Sequence, residues 1–184
     1  MPLTQEQKFD LTVRRFKKKV QEYRKSLNQL ILTSRFNDST WDENRCFVHR
    51  NKNVGCVYCS PSPLSSTIPL DATLFMLEMN NDTNKILGIG LVKNHPRVQK
   101  YSVYDNGNYN RYSFIGKNRI DRDDMTEEEE QIMCVFDILC FTGNTHMKRG
   151  QGLKLFPIEM LFKIKLMTHT DLVEFIRDMF RRRM

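Results

Sequence analysis

Hydrophobic positions along the chain follow two different rhythms. Phe9, Val13, Phe16, Val20, Tyr23, Leu27 and Leu30 recur every three or four residues. That spacing lays them along one stripe of a helix. No Gly or Pro interrupts the segment after Pro2, so one amphipathic helix is predicted over residues 4–33, with Lys and Arg dominating its other faces. Residues 34–71 lose the rhythm. Asn, Asp, Ser and Pro accumulate there, most densely at 60–63 and 65–67, which predicts loop with short strands at 46–49 and 54–58.

A β pattern follows. Leu74, Phe75, Met76, Leu77 and Met79 form one apolar run, and Ile86, Leu87, Ile89, Leu91 and Val92 form a second. The Asn/Asp-rich stretch 80–84 between them predicts an antiparallel β-hairpin. Glu78 interrupts the first strand and is expected near its rim or paired with a basic group. The second strand is apolar or bare on both faces and is expected to be central and covered on both sides. Gly88 and Gly90 share a face of it. That bare face fits either a ligand floor or close packing by another element.

Further on, strands are expected at 109–115 and 117–120 around Gly116, after a turn at 105–108. Thr126, followed by Glu129, forms a capping box for a helix from 127 to about 137. Residues 136–141 fit its last turn or a following strand equally. A polar, Gly-rich loop spans 143–152. A closing helix is expected from Asp171 to about Arg183, capped by Thr168 or Thr170, with Arg181, Arg182 and Arg183 complementing the dipole at its end.

Composition bears on partners. The 29 Lys and Arg outnumber the 22 Asp and Glu, giving a net charge of +7, which attracts polyanions. Eight of those cations fall within the first 25 residues, which therefore lack the apolar core of a signal peptide. No apolar run approaches the roughly 20 residues a bilayer span needs. Five cysteines, an odd number, then point to a reducing compartment with free or metal-bound thiols.

Three constellations could carry chemistry. Cys46, His49, Cys56 and Cys59 form two close ligand pairs, the kind of donors tetrahedral zinc takes. The alternative is buried sheet thiols beside a surface histidine, with no cofactor. The 146–152 loop offers backbone amides with His146, Lys148 and Arg149, a setting for phosphate. It lacks the order of a nucleotide P-loop. Trp41, Tyr58, Tyr101, Tyr104, Tyr109 and Tyr112 lie among Arg and Asn, and aromatic faces stack on unpaired bases while cations hold phosphates. No catalytic motif is present, and Asp121, Asp123 and Asp124 beside Arg119 and Arg122 read as a surface ion-pair turn rather than a metal cluster.

The stretch 74–94 resembles the sheet core of PUA-like domains, and is similar to a group of proteins of large nucleocytoplasmic DNA viruses. In those, the hairpin is followed by elements that here read Arg111-Tyr112, Gly116-Lys117-Asn118-Arg119-Ile120-Asp121-Arg122, Phe136-Asp137-Ile138-Leu139 and His146 to Gly152. The resemblance covers residues 54–157. PUA-like relatives of the EVE and YTH type hold RNA or a modified base between aromatic walls, which would make Trp41 and Tyr58 the candidate walls here.

The sequence thus predicts an α+β protein: a curved, mostly antiparallel sheet or small PUA-like barrel over 37–184, with flanking helices and an N-terminal basic helix over 1–36. The expected role is non-enzymatic binding of nucleic acid, RNA rather than DNA, in the host cytoplasm or a virion, with no membrane partner. Contacts are expected from Trp41, Tyr58, Arg111, Tyr112, Lys117, Arg119, His146, Lys148 and Arg149. The alternative is a viral structural or packaging protein without a base-specific pocket.

Overall fold

The computed structural model describes residues 4–184 and confirms an α+β architecture. Thr4 and Gln7 form a capping box that starts α1 (Gln5–Ser26). The helix stops there rather than at 33, because residues 29–36 form a strand, β1 (Gln29–Phe36). Leu30, Ile31 and Leu32 are consecutive and buried. A strand covered on both faces needs such a run, and its first members also fit a helical stripe, so periodicity misplaced the boundary.

Asn37 caps α2 (Asp38–Arg50) in a second capping box with Thr40. The strand expected at 46–49 is therefore helix. The predicted strand at 54–58 is displaced to β2 (Cys56–Ser60). The hairpin forms as expected, from β3 (Thr73–Asn80) and β4 (Lys85–Lys93), with a register irregularity at Glu78. Next come β5 (Arg97–Val98), a 3-10 turn over Gly107–Arg111 and β6 (Tyr112–Gly116). After β7 (Asn118–Asp121), the Thr126 capping box opens α3 (Glu127–Phe141), so 136–141 is helix. The chain ends with β8 (Lys154–Leu155), α4 (Ile158–Thr168) and α5 (Leu172–Arg181). Asp171, not a threonine, caps α5 by accepting from the amides of Val173 and Glu174.

The strands make two sheets that do not close into a barrel: five strands in the order β7-β4-β3-β1-β8, and three in the order β2-β6-β5. β1 runs parallel to β3; the other neighbours are antiparallel. β4 lies between β3 and β7. Tyr58 of β2 lies over Gly90, where any Cβ would collide with its ring. From the other face of β3, Phe75 stacks on Phe180 of α5, with centroids 5.5 Å apart. The Gly88/Gly90 face is thus a packing surface and not a ligand floor. α1 packs on α4 through Phe16 and Tyr23, both against Phe162. Among the described residues, no helix is long and apolar enough to cross a membrane.

Candidate nucleic-acid interface

The structure redistributes the residues singled out in the sequence. Tyr58 is fully enclosed, with its hydroxyl donating to Glu78 Oε1 at 2.6 Å. Burial, then the nearby Cys56 and Glu78, raise its pKa well above the ordinary phenol value. Its faces are occupied, so it is not a stacking wall. The Arg119 side chain is only 7% exposed, bound to both oxygens of Glu78 and to Asp121. It is a buried ion-pair partner, not a free phosphate contact. Trp41 is half-buried, edge-on to Phe36 at 5.1 Å, with the guanidinium carbons of Arg45 and Arg119 5.5 and 5.3 Å from its ring centre. It lines a cavity of about 450 Å³ whose arginines, Arg119 and Arg122, are both tied to carboxylates.

Arg111 and Lys117 are exposed and Tyr112 is half-buried in β6. The half-buried His146 has an enclosed Nδ1 with no partner. Lys148 donates to Asn84 Oδ1 at 2.7 Å, and Arg149 is exposed.

The proposed zinc ligands are not brought together. Cys46 and His49 are exposed on α2, while Cys56 and Cys59, three apart on a strand, point to opposite faces. Burial pushes the Cys56 thiol up to about 12, helped by Glu78, and the Cys59 thiol up to about 11. Both are neutral thiols in this setting. Cys59 meets the Ser113 hydroxyl at 3.4 Å. Among the described residues, no three potential ligands converge.

A different cleft gathers polar groups. It holds about 380 Å³, within the range of roughly 300–1,000 Å³ typical of small-ligand sites. β1 contributes Arg35, α2 contributes Thr40 and Glu43, and the turn after β3 contributes Asn81. Tyr109 and the glycine loop at 150–152 complete it.

Arg35 is the unusual member. Its guanidinium donates to the carbonyls of Gly152 at 2.5 Å and Met147 at 3.5 Å, and to the Thr33 hydroxyl at 3.5 Å. All three are neutral, and the enclosed Nε has no partner. Among the described residues, Arg35 pairs with no carboxylate. Burial pulls its pKa below the ordinary guanidinium value, with Tyr109 and Cys140 opposing. A partly desolvated cation without a counterion carries a cost that an anion in the cleft would relieve.

The loop beside it supplies more donors. Among the described residues, the backbone amides of Gly150, Gln151 and Gly152 donate to no acceptor. Gly150 and Gly152 have φ of +104° and +66°, which a residue with a Cβ adopts only under strain. At Gly152 a Cβ would also strike the Ser60 hydroxyl. Asn81 ties the loop down by donating to the Lys148 carbonyl at 3.3 Å. Successive amides in a turn of this kind can form a concavity for anions.

Sequence reasoning found this loop but missed Arg35, Glu43, Thr40 and Asn81. It counted Tyr109 only as one of several rings. The available signal was an arginine next to the end of the stretch Leu30 to Phe36, and the helix-to-loop boundary placed at 33 split that stretch and hid it. In comparisons with known proteins, no family model, no curated protein and no solved structure matches this chain.

Proposed function

We propose that this protein binds single-stranded nucleic acid, with one nucleotide seated in the Arg35 cleft. The observation that carries the reading is the uncompensated guanidinium beside a row of unpaired amides and an aromatic ring. A phosphate answers the first two, since charge-assisted hydrogen bonds to it are stronger than neutral ones. A base or sugar lies against Tyr109. The net charge of +7 attracts the strand to the surface. This reading keeps the functional half of the PUA-like resemblance, a nucleotide held beside an aromatic wall, without a closed barrel.

The test is fluorescence anisotropy with short single-stranded oligonucleotides across a salt series. Arg35→Gln should weaken binding about tenfold to a hundredfold, the loss of a charge-assisted hydrogen bond. Tyr109→Ala should weaken it by an amount typical of one stacked base, about 1–3 kcal/mol. Unchanged affinity in both variants would move binding off the cleft.

One observation favours the alternative of a packaging or interaction protein. Lys8, Arg14, Arg15, Lys17, Lys18, Lys19, Arg24 and Lys25 are all exposed on α1. Replacing Lys17, Lys18 and Lys19 by Ala should lower the salt slope by about 0.7 per lost phosphate contact. On that alternative these changes abolish binding while the cleft variants leave it intact.

A further inference from the structure

Glu43, on α2, lines the same cleft as Arg35, yet the two do not form an ion pair. Its Oε2 accepts from the Asp105 amide at 2.8 Å, which fixes the side chain against the loop preceding the 3-10 turn. Among the described residues, its other oxygen accepts no hydrogen bond and no cation pairs with it. The cleft therefore has two poles with hydrogen-bonding capacity free for a ligand: a guanidinium with nearby loop amides, and a carboxylate oxygen. Either charge would stabilise the other if they met. Held apart, they suit a ligand that carries an anion at one end and a hydrogen-bond donor at the other.

An internal nucleotide of DNA offers phosphate but no sugar donor. The same nucleotide of RNA offers the 2′-hydroxyl, which donates as well as accepts. A carboxylate repels phosphate and accepts from a hydroxyl, so it favours one orientation of the nucleotide. Resting on the cleft reading above, we infer that Glu43 accepts the ribose 2′-hydroxyl while Arg35 and the 150–152 amides hold the phosphate, making the site selective for RNA over DNA. A cleft that requires a hydroxyl rejects the sugar lacking it, because the carboxylate is then desolvated without a partner.

The probe is a short oligouridylate made in four forms: ribo, 2′-deoxy, 2′-fluoro and 2′-O-methyl. The base is constant, and only the ribo form can donate from the 2′ position. The fluoro form retains a ribose-like sugar pucker, which separates hydroxyl donation from strand shape. Anisotropy titrations should show the ribo form binding about tenfold tighter than each of the other three. In Glu43→Gln the amide oxygen remains for the Asp105 amide and the NH2 turns to the cleft, where it cannot accept. The ribo preference should then disappear, and the deoxy form should bind somewhat more tightly than to the unaltered protein, because the carboxylate that repels its phosphate is gone.

Equal binding of ribo and deoxy forms by the unaltered protein would overturn the inference and leave the cleft reading standing. A ribo preference shared by the fluoro form, or one surviving Glu43→Gln, would overturn the assignment to Glu43. Failure of every form to bind at low salt would remove the cleft reading itself. The four-ligand comparison needs only the unaltered protein, so it decides the hydroxyl question even if the variant folds poorly.

Discussion

Arg119 closes on Glu78 with Nε 2.9 Å from Oε1 and Nη2 2.8 Å from Oε2, at a carboxylate only 1% exposed. Tyr58 donates to the same carboxylate, and Asp121 takes the outer nitrogen of the guanidinium. Gly88 makes room for this cluster, since a Cβ there would press on both Arg119 and Glu78. Truncating one member leaves a charge stranded in the interior. Glu78→Ala should therefore cost about 3–5 kcal/mol in urea unfolding. Tyr58→Phe should cost about 1–3 kcal/mol. A loss below about 1 kcal/mol for Glu78→Ala would mean that the neighbourhood rehydrates.

Acid should release the end of α5. Glu129 is fully buried and bound by Arg183 and Arg182. Their hydrogen bonds, Arg183 first, and the Thr126 amide hold its carboxyl down to about 2, against the 4.5 of a free glutamate. A lowered folded-state pKa contributes stability that is present above about 4.5 and is lost as pH falls through about 2. Melting temperature should fall across that window, and fall less in Glu129→Gln. Parallel acid profiles for the two proteins would exclude Glu129 as a source of the effect.

Gly152 is a single-residue test of the loop. Gly152→Ala must adopt a positive φ and displace the Ser60 hydroxyl. A destabilisation of about 1–2 kcal/mol is expected, with nucleic-acid affinity reduced as the loop amides move. Gly143 also has a positive φ but nothing close to an added Cβ, so Gly143→Ala should lower stability and leave affinity unchanged. Equal effects of the two on binding would disconnect the loop from the site.

Thiol chemistry reports on the cysteines. Cys46 and Cys134 are exposed, whereas Cys56, Cys59 and Cys140 are buried. The native protein should titrate two fast thiols with a chromogenic disulfide reagent, and the other three only on unfolding. Chelators should leave the melting temperature unchanged. A chelator-dependent melting temperature with protected Cys46 would revive the metal reading.

Legibility in the sequence depended on how local the deciding physics is. The β3–β4 hairpin was readable because the Asn/Asp turn lies between its two apolar runs. The Thr126 box was readable because its partners are three residues apart. β1 was not, because Leu27 and Leu30 extend the α1 stripe in register, and only pairing with the distant β3 and β8 makes that segment a strand. Glu78 was expected to find a basic group or the rim; that the group is Arg119 depends on the pairing of β4 with β7. The cleft drew on residues 34 to 152, so no local motif could announce it.

That dispersion has a thermodynamic consequence. A ligand touching Arg35 on β1, Glu43 on α2 and the 150–152 loop bridges segments that are far apart in the chain and adjacent only when all are folded. Occupancy is then linked to global unfolding rather than to the ordering of one loop. At a hundred times its dissociation constant, such a ligand adds about 2.7 kcal/mol to the folded state by mass action. Thermal shift across a panel of oligonucleotides and nucleotides therefore screens for the natural occupant without any assay of activity.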